Sequence, residues 1–360
     1  MTQSTASMDE GRALRLLREL VLTPSSSQDD KKEIIERVMR PLESRGFRCE
    51  SLGEPDSPAL IASLGRKGVL FSGHLDTVPV GEGWTADQGE VRGSTLYGRG
   101  TADMKGGCAA MLLAAEYLVE RGTPISLAFT TDEETKMKGA EFVMVHELVR
   151  EAPAVIVCEP TSLCLGAREK GLLQIRLTAR GKSAHAAMPD RGANANHIML
   201  EALERLKDMA AVPPNPMESI TLSIGVLHGG SKVNVIPDSC TAEIDIRTPA
   251  AVQPEQAFAM VRERMAGMDL DIQLTNQLAP ILMLKDSAIA ELVERLRPGI
   301  ESIDIAYATE MVKYRPFNKN LLAIGPGDPT QAHAADEHVD IREVSGAARL
   351  YGEICTAMGK

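Results

Sequence analysis

The chain has no basic excess, no paired cysteines and no long apolar run, and each absence removes a class of protein. Lys and Arg total 39 against 50 Asp and Glu, giving a net charge of −11 and a pI near 5.3. That balance excludes the broad basic face that nucleic acid or an anionic membrane surface requires, although a local basic pocket for a small acid is still compatible with it. The six cysteines (49, 108, 158, 164, 240 and 355) form no CxxC pair. In a chain of this length they read as reduced, mostly buried thiols rather than a disulfide frame. No apolar stretch approaches the roughly 18 residues of a membrane-spanning helix. The N-terminal MTQSTASMDEGRALRLLREL lacks the charged-then-apolar plan of a signal peptide, so the expected address is the cytoplasm.

What is present is an ordinary globular composition: 360 residues, 44% hydrophobic and 25% charged. This is enough for an ample core and, on length, for two domains. Helical spacing of apolar residues predicts helices over 8–22 and 29–45, with cap-type residues at 25–29 between them. Short apolar runs at 59–64, 68–72, 125–130 and 154–158 read as buried strands. An Ala/Leu/Met-rich helix is expected over 106–121, stopped at Gly122. Strands alternating with helices imply a largely parallel sheet flanked by helices. After Gly166 the rhythm becomes strand (172–179), helix (194–209), strands (219–226 and 240–247), helix (254–265) and strand (270–276). That β-α-β-β-α-β order belongs to a ferredoxin-like split unit. Helix and strand patterns resume at 287–296, 321–324 and 343–358. The expected architecture is an α/β domain (1–169 and 281–360) interrupted by an inserted α+β domain (170–280).

Five motifs carry chemistry, and α/β folds place ligands at strand ends such as these. Gly73-His74-Leu75-Asp76-Thr77 follows the second strand. His74 could bind a metal through one ring nitrogen while Asp76 accepts a hydrogen bond from the other. A loop histidine is the plain alternative. Gly98-Arg99-Gly100-Thr101-Ala102-Asp103-Met104-Lys105-Gly106-Gly107 opens the long helix. Its glycines let backbone approach a ligand, but Asp103 stands where a dinucleotide loop needs its third glycine and would repel a pyrophosphate. Asp103 could bridge two cations or could cap the helix. Thr131-Asp132-Glu133-Glu134 crowds three carboxylates, which is unfavourable unless something positive sits among them. One could ligate a metal while its neighbour acts as general base; a solvated acidic turn is the alternative. Glu159, in Cys158-Glu159-Pro160-Thr161, and His333, in Gln331-Ala332-His333, complete the set. Jointly these supply two histidines and at least three carboxylates, about what two metals sharing one bridging carboxylate require. No GxSxG elbow or P-loop competes.

In order and spacing these motifs resemble the di-zinc family of acetylornithine deacetylases, succinyl-diaminopimelate desuccinylases, aminoacylases and carboxypeptidases. The resemblance runs from His74 to His333 and includes the inserted lid. It implies one metal site of His74, Asp103 and Glu159 and a second of Asp103, Glu134 and His333, with Asp103 bridging. Glu133 then matches the general base and Asp76 the carboxylate that orients His74. Gly325-Pro326-Gly327, Gln331-Ala332-His333, Asp336-Glu337 and Ala308-Thr309-Glu310 look most like the acetylornithine deacetylases. Glu310 would meet the substrate's amino group. In the lid, His185 of Gly181-Lys182-Ser183-Ala184-His185 would stabilise an oxyanion, in several members that of the partner subunit. Asn234 and Arg247 match substrate-binding positions, Arg247 holding a carboxylate through two parallel hydrogen bonds. Cys158 replaces a frequent glycine and is expected to be harmless packing. Lys105, Arg168 and Lys170 have no assigned role and are expected to be solvated.

The implied cofactors are two divalent cations, zinc with cobalt or manganese as substitutes. The implied partners are a small N-acyl amino acid and a second copy of the chain, with neither nucleic acid nor membrane. Alternatives are another acyl or peptide substrate (a succinyl-diaminopimelate, an N-acyl-lysine, a carrier-linked lysine or a dipeptide) or a metal-binding homologue without catalysis.

Overall fold

The computed structural model describes residues 9–209, 216–282 and 287–359. The chain divides into two compact units, one comprising 1–167, 283–303 and 309–360, the other 168–282 and 304–308.

The first unit is built on a mixed, mainly parallel sheet. Its strands run in the order Arg48–Glu54, Ser57–Leu64, Ile125–Thr130, Val69–His74, Val155–Val157 and Leu321–Ala323, with Leu165–Glu169 beyond. Val69–His74 lies at the centre, parallel to both Ile125–Thr130 and Val155–Val157, and all six of its residues are buried. Burial on both faces is why these strands read as continuous apolar runs rather than alternating ones. The helix Lys105–Val119 is apolar nearly all round and buried along almost its whole length, as expected for a helix enclosed by other elements. Gly107 is required there: a Cβ would lie 2.1 Å from the Cys158 carbonyl oxygen. Helix Glu10–Leu22 turns Ala13, Leu16, Leu17, Leu20 and Val21 inward, with Asp9 capping its first turn by accepting from the Gly11 N–H. Met8, where that helix was expected to begin, lies outside the described residues. A polar edge strand, Arg48–Glu54, and a small sheet of Val91–Arg92, Thr95–Tyr97 and His338–Asp340 were not anticipated; neither has the apolar periodicity that marks buried elements.

The second unit is a four-stranded antiparallel sheet in the order Thr221–Gly229, Ser239–Thr248, Gly171–Arg180, Leu270–Leu278. In chain order that is 2-3-1-4, the ferredoxin-like arrangement expected from the β-α-β-β-α-β rhythm. Cys240, Ala242, Ile244 and Ile246 alternate inward and meet Ala195, Met199, Ala202 and Leu206 of helix Ala195–Lys207 and Ala257 and Val261 of helix Pro254–Arg264. Asn194 caps the first of these helices through the Asn196 N–H. No helix among the described residues is long and apolar enough to cross a membrane.

Of the three side chains expected in solvent, Lys105 and Lys170 are not there, while Arg168 stays part-exposed in a surface ion-pair cluster. Lys105 is buried, and its ammonium donates to the Leu20 and Thr23 carbonyls at 2.9 and 3.1 Å; burial pulls its pKa down to about 8. Lys170 is buried and donates to the Ser219 carbonyl and the Thr221 hydroxyl at 2.9 and 3.2 Å. Arg168 forks onto Asp304 and also meets Glu218. Long polar side chains can be buried when their donors are satisfied, and a linear pattern does not reveal such partners.

Candidate metal centre and active site

Sheet geometry brings the chemical residues together. His74 is the last residue of the central strand, paired in register with Thr130, and the turn after Thr130 carries Glu133 and Glu134. Glu159 follows the neighbouring strand Val155–Val157. Asp103 sits in the turn that leads into helix Lys105–Val119. It does not cap that helix, since Met104 holds the N-cap position without a side-chain hydrogen bond. His333 projects from the loop after Pro329–Gln331 with a left-handed backbone, φ +63°. Parallel neighbouring strands end at one edge, so residues far apart in sequence converge at their carboxyl ends.

Asp103 faces both histidines. Its Oδ1 lies 3.2 Å from His74 Nε2 and its Oδ2 lies 3.6 Å from His333 Nε2. His333 Nε2 is also 2.9 Å from Glu134 Oε2. Glu133 Oε2 and Glu159 Oε1 each lie 4.0 Å from His74 Nε2. Single donor atoms of His74, Asp103 and Glu134 fall within 4.8 Å of one another. Four carboxylates and two imidazoles thus share one small volume, and the oxygen and nitrogen donors are those that bind divalent cations.

The electrostatics suit such an occupant. Burial works against the His74 imidazolium, but contacts with Asp103 and Asp76 and the charges of Glu133 and Glu159 outweigh it and hold the pKa well above 6.5. Glu133 and Glu159 are both pushed well above the usual carboxylate range, first by burial and then by the neighbouring carboxylates, with His74 opposing. Burial acts upward on Asp103 too, yet both histidines and Arg99 bring it below its ordinary value. Hydrogen bonding to Glu134 raises His333. A carboxylate cluster that suppresses its own ionisation is relieved by a cation among its oxygens, so the residues present fit a metal centre.

Asp76 faces His74 with both its backbone and its carboxylate. The His74 Nδ1 partner at 3.0 Å is the Asp76 backbone carbonyl, while Oδ1 of the carboxylate stands 3.6 Å away and has no hydrogen-bond partner. Its Oδ2 accepts from the Glu134 N–H at 3.2 Å. With the proton on Nδ1, His74 presents Nε2 as the free ligand atom. Glu310, expected at the substrate's amino group, lies deeper. It is fully buried, with Oε2 3.2 Å from the Ser72 hydroxyl and 3.4 Å from the Tyr314 hydroxyl. Core packing, not an open face, surrounds it. Cys158 is fully buried, as harmless packing requires.

The remaining expected residues belong to the second unit. His185 is exposed, and its Nδ1 accepts from the Ala187 N–H at 3.1 Å. Asn234 is exposed, with its carbonyl accepting from the Ala186 N–H at 3.0 Å. The Arg247 fork, expected to hold a substrate carboxylate, is engaged by Asp245 at 2.7 and 3.1 Å. Sequence reasoning named Glu337 within a motif but gave it no role; its buried carboxylate collects N–H groups from the Asp103 loop.

A strand-end cluster of histidines and carboxylates on a mainly parallel sheet, with a ferredoxin-like insertion, defines a metal-dependent hydrolase of the two-domain kind. Comparison with known proteins agrees. Residues 167–270 match the family profile described as Peptidase dimerisation domain, and 60–161 match Peptidase family M28. The chain is 31% identical to acetylornithine deacetylase of Photorhabdus laumondii, covering 95% of this chain and 96% of that one. It is 32% identical to acetylornithine deacetylase of Klebsiella pneumoniae, with the same coverage. Among solved structures, an M20 family metallo-carboxypeptidase from Sulfolobus solfataricus superposes with a TM-score of 0.80 at 16% identity, covering 96% of this chain and 99% of that one. A dinuclear metal-binding M20 peptidase from Bacillus subtilis superposes with a TM-score of 0.70 at 16% identity, covering 97% and 98%. The chain belongs to the M20 peptidase family.

Proposed function

We propose that this protein hydrolyses the amide of an N-acylated small amino acid, N-acetylornithine foremost, releasing acetate and ornithine with the aid of two divalent cations. The observation that carries the reading is Asp103 with one carboxylate oxygen toward each histidine. His74, Asp103 and Glu159 would hold one cation, and Asp103, Glu134 and His333 the other. When bound, the pair would supply Lewis acidity and lower the pKa of a water from 15.7 towards about 7.

The chain's own residues supply the proton traffic. Glu133 has its carboxylate at the edge of the donor cluster, 4.0 Å from His74 Nε2. It takes a proton from the attacking water as the new C–O bond forms, then delivers it to the amide nitrogen as the C–N bond breaks. His185 accepts a backbone N–H at Nδ1, so its hydrogen resides on Nε2, where it can donate to the oxyanion. Arg247 would exchange Asp245 for a substrate carboxylate, and Asn234 would contact the substrate separately. The match to a dimerisation domain supports a homodimer, and six free thiols suit a reducing compartment such as the cytoplasm. Zinc is the favoured metal, with cobalt and manganese compatible with the same donors.

The test is amine release from N-acetylornithine, N-succinyl-diaminopimelate, N-acyl-lysines and dipeptides, before and after chelation and after readdition of zinc or cobalt. Metal-dependent release greatest on N-acetylornithine supports the reading, and a different best substrate overturns the acetylornithine assignment. No release from any substrate by metal-loaded protein would overturn the reaction.

A further inference from the structure

The glycine-rich loop 98–103 has the look of an anion cradle, and the anion it holds belongs to the chain itself. Gly100 adopts φ +84°, which an L side chain disfavours, and a Cβ there would lie 2.7 Å from Thr77 Cγ2. The resulting turn aims the Gly100, Ala102 and Asp103 N–H groups at one point, the kind of concavity that ordinarily binds phosphate or another anion. Glu337 fills it. Its Oε1 accepts from the Ala102 and Asp103 N–H groups at 2.8 and 3.1 Å. Its Oε2 accepts from the Gly100 N–H at 3.0 Å and from Arg99 Nη1 at 2.7 Å. Glu337 is fully buried and Arg99 nearly so.

The same two residues reach the other side of the metal centre. Arg99 Nη2 donates to the His333 carbonyl at 3.3 Å, and the Glu337 carbonyl accepts from the Gly98 N–H at 2.9 Å. Arg99 and Glu337 therefore bind the backbone of two loops at once, one bearing Asp103 and the other bearing His333. The adjacent Asp336 ties in a third segment, accepting from the Thr85 N–H and hydroxyl and the Ala86 N–H at 2.7, 2.7 and 2.9 Å.

We infer that Glu337, with Arg99, is a positioning residue of the metal centre: it fixes the spacing between the Asp103 loop and the His333 loop and so sets metal affinity without touching a metal. The inference rests on the metal-centre reading above. Groups behind metal ligands typically change affinity about 10–100-fold when altered. The chemistry at Glu337 is demanding, because all four groups aimed at it are donors. A glutamine in its place would turn an NH₂ group toward two of them.

The experiment titrates Co²⁺ into metal-free full-length protein and reads affinity together with the cobalt visible absorption spectrum. Glu337→Gln should weaken Co²⁺ binding by about 10–100-fold and alter the spectrum. Leu350→Ala, which opens a cavity in the core of the same unit, should lower the melting temperature while leaving both readouts as in wild type. If Glu337→Gln fails to fold, Arg99→Met tests the same link, with weakened binding expected. Wild-type affinity and spectrum in either variant would overturn the inference, as would an equal loss of affinity in Leu350→Ala. If the wild-type chain itself took up no Co²⁺, the metal-centre reading would fail first and this inference with it; unchanged binding in the variants would sink this inference alone.

Discussion

Nε2 of His333 stands 2.9 Å from Oε2 of Glu134, two side chains 199 residues apart in sequence. Asp103 reaches the same imidazole with its other flank turned to His74. On the proposed assignment of the donors to two overlapping sets, metal stoichiometry is predicted. His333→Ala and Glu134→Ala should each retain one equivalent of metal, and Asp103→Ala should lose both. Elemental analysis after dialysis reads the outcome directly. Two equivalents retained by Asp103→Ala would show that it bridges nothing.

Glu133 is assigned proton transfer rather than ligation. Glu133→Gln preserves shape and should keep both metals while turnover falls by about 10²–10⁴-fold, the usual contribution of a general base. Steady-state rates paired with metal analysis test it. Lost metal would make Glu133 a ligand, and near-normal turnover would remove it from the mechanism.

The pH dependence of stability has a definite sign. His74 and His333 have folded pKa values above 6.5, and Glu133 and Glu159 have values above 4.5. Groups whose folded pKa is raised give stability that is fully present below the unfolded value and is lost as pH rises through the folded one. Metal-free protein should therefore lose melting temperature as pH rises above 4.5 through the folded values of the glutamates and above 6.5 through those of the histidines, with Asp103, held below its ordinary value, opposing at the acidic end. Metal binding needs His74, His333 and Glu159 deprotonated, so affinity should rise with pH over the same range. Thermal melts of chelated and metal-loaded protein should diverge with increasing pH; parallel curves would contradict the cluster's proposed electrostatics.

Glu310 sits inside the core against Ser72 and Tyr314, with burial as the first cause of its raised pKa. Its removal should be felt by the fold, not by the substrate. Glu310→Ala should cost about 1–3 kcal/mol, because the Ser72 and Tyr314 hydroxyls keep each other but lose the acceptor they share, while relative rates across the acyl-amino-acid panel stay as in wild type. Denaturant titration and that panel decide it. A changed substrate preference would return Glu310 to the binding site.

Much of this was legible because the signals are local. The strand ending at His74 reads as an apolar run, and the ferredoxin-like unit follows from alternation at 240, 242, 244 and 246 and helical spacing at 195, 199, 202 and 206. The edge strand Arg48–Glu54 was missed because its polar, exposed residues have no apolar period. Lys105 and Lys170 were read as solvated because the carbonyls that satisfy them come from segments distant in sequence.

The sequence by itself determined the elements, the class of chemistry and the residue types available to perform it, since periodicity and side-chain donors are properties of short segments. Only the tertiary structure decided which oxygen meets which nitrogen. It turned Asp103 between two histidines, set the Asp76 backbone carbonyl beside His74 along with its carboxylate, buried Glu310 in the core and lodged Glu337 in the glycine loop. Those outcomes depend on strands and loops converging from opposite ends of the chain, and the energy of a buried polar group depends on partners that no local pattern specifies.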